Sequence, residues 1–282
     1  MTAIYRSEAG ASAVRERYLA FLERWPVPNE RLVVPTREGD TFVLACGPKG
    51  APALLLFHGS GANATMWLGD IGEWSTQFRC HAVDMIGEPG LSAPSRPKLG
   101  TEAYTLWLDD VLKGLGVERA AIVGVSLGGW LALDFATRRP ERVTKLALLC
   151  PGGVGRQKSG WMLFLPLLFL GAWGRRRMRA RILGRGFGND SPEARAMGDF
   201  ASLVFTHFRP RTGRLPVFGD KALRALGMPL LAIVGAKDVL LNSQQTKSRL
   251  ERNAGNADVR LLPDAGHLIL GQTRAVAEFL LR

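Results

Sequence analysis

The chain has 282 residues, enough for one large domain, and its 46% hydrophobic content is ordinary for a globular protein. Its formal net charge is +12, and ten of these charges lie in residues 152–228, which contain fourteen Lys or Arg and four Asp or Glu. No zinc-finger spacing or RNA-recognition signature accompanies this excess, so we expect no nucleic-acid partner and interpret it as a solvated basic face.

The amino-terminal residues and the cysteines bear on the cellular compartment. The first eight residues contain no apolar stretch of the kind that a signal peptide requires, so we expect none. Cys46, Cys80 and Cys150 are far apart, and each borders an apolar run, which is typical of buried free thiols in an intracellular protein. We therefore expect a cytoplasmic protein. No Cys/His cluster in the sequence has the spacing of a metal site, so we expect no metal.

Apolar strands and helices alternate along most of the chain. An amphipathic helix over 10–25 precedes two strands, 31–36 and 40–46, whose Glu38-Gly39 turn predicts a hairpin. Further strands are predicted over 53–57, 79–84, 120–125, 143–149, 230–235 and 257–262, and further helices over 63–78, 102–115, 130–136, 243–253 and 273–281. This alternation predicts an α/β fold with a mostly parallel, doubly wound sheet.

The alternation stops at Pro151 and resumes at Leu230. The segment between them is richer in Trp, Phe, Arg and Gly, and it falls between two strands of the same predicted sheet. We therefore predict a core domain of residues 1–151 and 227–282, with a helical cap inserted over 152–226.

The insertion contains the most apolar run of the protein, residues 161–173. It is interrupted by Pro166 and is shorter than the roughly 20 residues that span a bilayer, and arginine-rich residues 175–181 follow it. Three interpretations stay open. The run forms a cap helix over an apolar acyl pocket, a peripheral membrane contact, or an oligomer contact in a protein that is a monomer or a homodimer.

Ser126 is the candidate nucleophile. It lies in Gly124-Val125-Ser126-Leu127-Gly128, a Gly-x-Ser-x-Gly motif with an apolar strand before it and a helix after it. That context is the one the nucleophile elbow requires, and its glycines leave room for a sharp turn. The alternative is a small-residue turn without chemistry, so the serine needs partners elsewhere in the chain.

A serine nucleophile needs a base, and the chain has four histidines. His267 follows the last strand and comes after the serine, as the Ser–acid–His order of this fold requires. His58 comes too early, and His81 lies inside a strand as a core or edge residue. His207 falls in the insertion, where it could at best touch substrate. We therefore predict His267 as the base.

The acid that orients the base should end a strand between the serine and the histidine. Asp238 follows the strand 230–235, and its carboxylate could hold one imidazole nitrogen. A simple helix-capping role is its alternative. Asp258 and Asp264 are the competitors, and Asp264 is too close in sequence to His267 to approach it easily. We predict Asp238.

The negative oxygen of a tetrahedral intermediate needs fixed donors. One is expected from the backbone N–H of Leu127, after the nucleophile, and the other from the loop that follows the third strand. We predict the N–H of Ser60 there, with Gly61 as the alternative. His58, Gly59 and Gly61 would support this loop, His58 through a hydrogen bond.

Five motifs together resemble the α/β-hydrolase family over nearly the whole chain. They are His58-Gly59-Ser60-Gly61, residues 84–92, residues 124–129, residues 235–238 and Ala265-Gly266-His267. The resemblance implies the α/β-hydrolase fold, a Ser–Asp–His triad and a helical cap inserted after the sixth strand.

More narrowly, residues 24–28, the Asp84 loop and residues 150–153 are similar to small bacterial carboxylesterases. This similarity implies a serine hydrolase that cleaves esters of small to medium, largely apolar substrates, with no cofactor and no metal. The 58–61 loop is also similar to that of carbon–carbon bond hydrolases. Cleavage of such a bond, of a thioester or of another acyl group therefore stays open, as does a receptor without activity. Family members with an aspartate nucleophile, the haloalkane dehalogenases and epoxide hydrolases, are excluded by Ser126.

Overall fold

The computed structural model describes residues 4–158 and 191–282, in which eight strands form one sheet with helices on both faces. The strands are β1 (Asn29–Val34), β2 (Thr41–Cys46), β3 (Ala53–Phe57), β4 (Arg79–Val83), β5 (Ala120–Val125), β6 (Val143–Leu149), β7 (Leu230–Gly235) and β8 (Ala257–Leu262). The α-helices are α1 (Glu8–Leu22), α2 (Ile71–Trp74), α3 (Ala103–Gly114), α4 (Leu127–Arg138), α5 (Pro192–His207), α6 (Asp220–Arg224), α7 (Ser243–Asn253) and α8 (Thr273–Leu281). Short 3-10 helices cover Ala64–Trp67 and Pro140–Arg142.

The strand order is β1-β2-β4-β3-β5-β6-β7-β8. β1 and β2 form the predicted antiparallel hairpin, and β2 is also antiparallel to β4, while all pairs from β4 to β8 are parallel. The prediction of a mostly parallel, doubly wound sheet is therefore confirmed. Because parallel strands end at one edge, the loops after β3, β5, β7 and β8 meet there.

The strands are apolar because both faces of the sheet are covered. One face packs under α1, α2, α5 and α8, with Trp67 and Trp74 fully buried, and the other packs under α3, α4, α6 and α7, with Trp107 and Trp130 fully buried. The three cysteines are buried and free.

The prediction of one helix over 63–78 is wrong. The structure has a 3-10 turn, Ala64–Trp67, and then the single-turn helix α2. Asn63 caps the first turn by accepting a hydrogen bond from the N–H of Thr65, and Gly69 lies between the two pieces. Glycine is a poor helix former, so one continuous helix is disfavoured here.

Parts of the predicted cap, 152–226, lie within the described residues. α5 packs on α1, where the ring of Phe200 contacts the rings of Tyr18 and Phe21. The apolar run 161–173 and the arginine-rich residues 175–181 lie outside the described residues, so the cap and its boundaries stay a prediction. Within the described ranges, no helix has both the length and the apolar character to cross a membrane.

Candidate active site

Ser126 occupies the sharp turn between β5 and α4, with φ of +51°. The N–H of Ser126 donates to the carbonyl of Leu149 on the neighbouring strand at 3.0 Å. A Cβ on Gly124 would lie 2.6 Å from the Gly128 carbonyl oxygen, and one on Gly128 would overlap the Phe57 carbonyl oxygen. Only glycine fits at these close approaches, and the strained serine backbone is the kind found at functional sites.

The predicted base and acid meet the serine at the carboxyl edge of the sheet. His267 Nε2 is 3.0 Å from Ser126 Oγ, and His267 Nδ1 is 2.8 Å from Asp238 Oδ2. The loops after β5, β7 and β8 supply these three side chains, which are widely separated in sequence. A neutral imidazole can donate from Nδ1 to the carboxylate and accept the serine proton at Nε2.

Asp238 is buried, with 2% of its surface exposed, yet it is held as a carboxylate. Its Oδ1 accepts hydrogen bonds from the N–H groups of Leu240, at 2.7 Å, and Leu241, at 3.0 Å. Burial alone would raise its pKa. The hydrogen bond and charge of His267 and the two amides outweigh burial and lower the pKa of Asp238. Its charge is therefore available to stabilise an imidazolium.

The competing acids lie elsewhere. Asp264 is 87% exposed at its side chain and pairs with Lys237, and Asp258 pairs with Arg260 on β8. Neither carboxylate contacts His267 in the described part of the chain. The carboxylate that contacts the His267 ring is that of Asp238, which follows β7.

His81 and His207 make no contact with Ser126 in the described part of the chain. His81 is buried within β4, opposite Leu55 and Ala45 of the neighbouring strands, as a core residue. His207 ends α5, and its ring packs so closely on Gly10 of α1 that a Cβ there would lie 2.5 Å from Nδ1. This contact gives His207 a packing role at the junction of α1 and α5.

His58 makes two hydrogen bonds to backbone groups at the loop after β3. The N–H of Met85 donates to His58 Nε2 at 3.0 Å, so Nδ1 carries the proton and donates to the Gly59 carbonyl at 2.8 Å. Burial lowers the pKa of His58 to about 4, which keeps the ring neutral. The ring is committed to two backbone groups and has no free nitrogen for proton transfer.

Two backbone N–H groups next to the serine are free to bind an oxyanion. Among the described residues, the N–H groups of Ser60 and Leu127 donate no hydrogen bond, whereas the N–H of Gly61 donates to Glu88 at 2.7 Å. The helix α4 begins at Leu127, where helix N–H groups have no internal partner. The geometry therefore favours Ser60 over Gly61 as the second donor.

Two acids of the 84–92 motif, Asp84 and Glu88, are buried carboxyl groups beside this loop, and the sequence predicts no site role for either. Asp84 accepts from the Tyr18 hydroxyl and the N–H groups of Ala64 and Leu91, and Glu88 accepts from the 58–61 loop. Burial raises the pKa of Asp84 to about 6 and that of Glu88 to about 7. The sequence shows two acids in a loop rich in Gly and Pro. Because charged side chains are rarely fully buried, this pattern does not predict their burial.

Cys150 lies beside the triad, with its sulfur, an Asp238 oxygen and a His267 nitrogen within 4.8 Å of one another. Three such ligands could in principle hold a metal ion. Burial and the charge of Asp238 raise the pKa of the Cys150 thiol, whereas metal binding requires a thiolate. The thiol lies 3.9 Å from the Gly266 carbonyl, and the cluster is accounted for by the Asp238–His267 hydrogen bond.

A cavity of about 520 Å³ adjoins the elbow. Ser60 and Val125 form the part of its wall next to the nucleophile. Most of the remaining wall is apolar and includes Met66, Trp67, Trp74, Met197, Phe200 and Ile269. Its volume and its apolar wall are typical of small-molecule pockets.

The Alpha/beta hydrolase family profile matches residues 54–279. The carboxylesterase YbfK of Bacillus subtilis is 30% identical over 268 residues, which cover 90% of this chain and 87% of that protein. The crystal structure of the same esterase superposes with a TM-score of 0.82 at 29% identity and 97% coverage of each chain. The crystal structure of naproxen esterase from Bacillus subtilis gives a TM-score of 0.81 at 28% identity and 98% coverage of each chain. With this coverage, the fold and the elbow geometry, the chain belongs to the alpha/beta hydrolase family and is a hydrolase.

Proposed function

We propose that the protein is a serine hydrolase that cleaves carboxylic esters through an acyl-enzyme. The observation that carries the proposal is the hydrogen-bonded series Ser126, His267, Asp238, in which a nucleophile, a base and an orienting acid stand within 3.0 Å of their neighbours. Its similarity to two carboxylesterases over nearly its whole length supports the ester as the bond attacked.

Acylation begins when Ser126 Oγ attacks the ester carbonyl carbon and its proton passes to His267 Nε2. Asp238 stabilises the imidazolium that results. When the tetrahedral intermediate collapses, the bond to the alkoxy oxygen breaks and His267 returns the proton to the leaving alcohol. Water, deprotonated by His267, then attacks the acyl carbon and releases the carboxylic acid and free Ser126.

The negative oxygen of each tetrahedral intermediate is stabilised by the N–H groups of Ser60 and Leu127. Neither N–H donates a hydrogen bond within the described residues. Leu127 follows Ser126 in the chain, and a Cβ on Gly59, the residue before Ser60, would lie 3.8 Å from the Ser126 Cβ. Donors that are already oriented lower the barrier because they need no rearrangement as the charge develops. His58 and Gly59 fix the loop that carries Ser60.

The apolar cavity beside the elbow supports a small to medium, largely apolar substrate.

A cytoplasmic location belongs to the same proposal, and the three buried free cysteines support it. The proposal also includes a monomeric or homodimeric protein and a peripheral membrane contact through residues 161–181. Light scattering after size-exclusion chromatography tests the first, and sedimentation with anionic vesicles tests the second.

The test is Ser126→Ala, assayed against p-nitrophenyl esters with acyl chains from two to twelve carbons. We expect turnover to fall by at least about 10³-fold, because no other group supplies the nucleophile. Labelling by a fluorophosphonate probe should be lost as well. The matched control is Ser248→Ala, which removes a solvent-exposed hydroxyl on α7 and should leave both readouts unchanged.

Retained ester turnover in Ser126→Ala would contradict the mechanism. Release of a ketone from a dienoate substrate, without ester turnover, would favour the carbon–carbon hydrolase alternative. A protein that resists the fluorophosphonate before any substitution would instead favour a receptor without activity. If the acyl-chain series shows no preference for longer, more apolar chains, the apolar cavity does not hold the acyl group of the substrate.

A further inference from the structure

Glu88 is a buried acid in the loop between β4 and α3, with 1% of its surface exposed. Its Oε2 accepts a hydrogen bond from the N–H of Gly61 at 2.7 Å and one from the hydroxyl of Ser60 at 3.3 Å. Both contacts fall on the loop that follows β3. The carboxylate therefore lies directly behind the loop whose free N–H adjoins the nucleophile.

These contacts fix the peptide planes on both sides of Ser60. The Gly59 carbonyl is held by His58 at 2.8 Å, and the Gly61 N–H is held by Glu88. Peptide bonds are planar and trans, so a carbonyl held in one direction points the N–H of the same unit in the opposite direction. His58 thus sets the plane that contains the Ser60 N–H, and Glu88 prevents rotation of the plane that follows.

We propose that Glu88 is a positioning residue for ester hydrolysis, and that its ionised carboxylate holds the Ser60 N–H in the orientation that binds the oxyanion. The proposal rests on the proposed function, because it assigns the Ser60 N–H to the tetrahedral intermediate. Glu88 itself touches no substrate. Its effect is exerted through Ser60 and Gly61.

Every group that contacts the carboxyl group is a donor or a cation. Besides Ser60 and Gly61, the Arg211 guanidinium approaches Oε1 at 3.7 Å, which is within range for charge attraction and beyond a hydrogen bond. The titratable and charged groups that interact with Glu88 from the surrounding elements are Arg211, Arg96, Tyr5 and Tyr104. Oε1 has no hydrogen-bond partner within the described residues, so both hydrogen bonds from the loop fall on Oε2. Protonation of Glu88 removes the charge that strengthens the hydrogen bond from the Gly61 N–H, and the hold on the loop weakens.

Burial raises the pKa of Glu88 to about 7, despite the opposing effects of Gly61, Arg211 and Arg96. Its ionisation therefore changes within the range in which esterases are assayed. An alternative is that Glu88 only neutralises Arg211, in which case its removal would alter stability without altering the pH profile.

The first experiment measures the pH dependence of kcat/KM from pH 5 to 9 for the unchanged enzyme and for Glu88→Gln. Glutamine keeps an acceptor for the Gly61 N–H but cannot ionise. We expect the acidic limb of Glu88→Gln to be less steep by one proton. The matched control is Asp134→Asn, which removes another buried carboxylate, bonded to Thr105 and Arg138, and should keep the original slope.

The second experiment separates kcat from KM at pH 8. We expect Glu88→Ala to lower kcat by about 30- to 100-fold with KM within twofold, because the affected donor acts on the transition state. Glu88→Gln should recover kcat to within about tenfold of the unchanged enzyme. Inhibition by a trifluoromethyl ketone, which forms a tetrahedral oxyanion on the serine, should weaken in proportion to kcat/KM.

Folding of each variant is checked by circular dichroism and thermal unfolding, and if Glu88→Ala does not fold, Glu88→Gln alone decides. An unchanged acidic slope in Glu88→Gln would overturn the positioning role. So would a Glu88→Ala variant whose ketone inhibition and kcat/KM both stay within twofold of the unchanged enzyme. Those outcomes leave the ester mechanism intact, because that mechanism is tested separately by Ser126→Ala, by the fluorophosphonate probe and by the dienoate substrate.

Discussion

Asp238 shows how one residue is kept charged in a buried position. Burial opposes its ionisation, but two backbone amides bind Oδ1 and the His267 ring binds Oδ2. Both oxygens are therefore occupied by donors, and the pKa of Asp238 stays below its ordinary value. The same two amides fix the rotation of the carboxylate, so that the proton of His267 is held on Nδ1 and Nε2 faces the serine.

Asp238→Asn should lower kcat by about 10³- to 10⁴-fold, because an amide can present its N–H₂ to the ring and favour the wrong tautomer. The shape of the site is preserved by this change. The measurement is steady-state ester hydrolysis at pH 8. The control is Asp264→Asn, three residues before His267 and solvent-exposed, which should retain full activity. The reverse pattern would reassign the acid to Asp264.

At the scale of elements, the site depends on how closely two loops approach each other. The end of β7 and the loop before His267 are in backbone contact at Gly235, where a Cβ would overlap the carbonyl oxygen of Gly266 and lie within 3 Å of Ala265. The N–H of Lys237 also donates to the Ala265 carbonyl at 2.9 Å. This contact sets the separation between Asp238 and the histidine ring.

Gly235→Ala should separate the two loops and weaken the 2.8 Å contact between Asp238 and His267. We expect kcat to fall by about 10- to 100-fold, since displacements near 1 Å at a catalytic group cost about this much. The control is Gly255→Ala, where an added Cβ meets nothing within 4 Å. Equal activity in both variants would mean that the loops can move apart without loss of the triad.

At the scale of the whole molecule, the buried carboxyl groups of Asp84 and Glu88 make the stability of the fold depend on pH. Each carboxyl group has a higher pKa in the folded protein, about 6 and about 7, than its ordinary values of 3.8 and 4.5. The folded state therefore binds more protons than the unfolded state between these values. Their contribution to stability is fully present below about pH 4 and is lost as pH rises through 6 and 7.

Glu88→Gln removes the Glu88 part of this dependence because glutamine does not ionise, whereas Asp84 still titrates. Relative to the unchanged protein, its free energy of unfolding should increase by about 2 kcal/mol between pH 5 and pH 8. Urea unfolding at both pH values measures the difference. The control is Asp264→Asn. In the unchanged protein Lys237 lowers the pKa of the Asp264 carboxyl group, so that this group is ionised in both the folded and the unfolded state throughout this range. A constant offset between Glu88→Gln and the unchanged protein at the two pH values would refute the prediction.

Much of the architecture could be predicted because buried strands are continuous apolar runs. The bounds of β3, β6, β7 and β8 match their predicted ranges, and so do those of α7 and α8. The helix over 63–78 was predicted wrongly because local capping by Asn63 and the break at Gly69 outweigh its periodicity. Short elements of this kind are decided by side-chain hydrogen bonds that a periodic pattern does not contain.

The sequence by itself determined the fold, the nucleophile motif and the candidate base and acid, since the alternation places Ser126, Asp238 and His267 after strands that end at one edge. Only the tertiary structure decided which groups complete the site. The free N–H of Ser60, the tautomer of His58 and the carboxylate of Glu88 depend on contacts between loops that are about 27 residues apart or more. Hydrogen-bond direction is a property of three-dimensional approach, and residue order does not encode it.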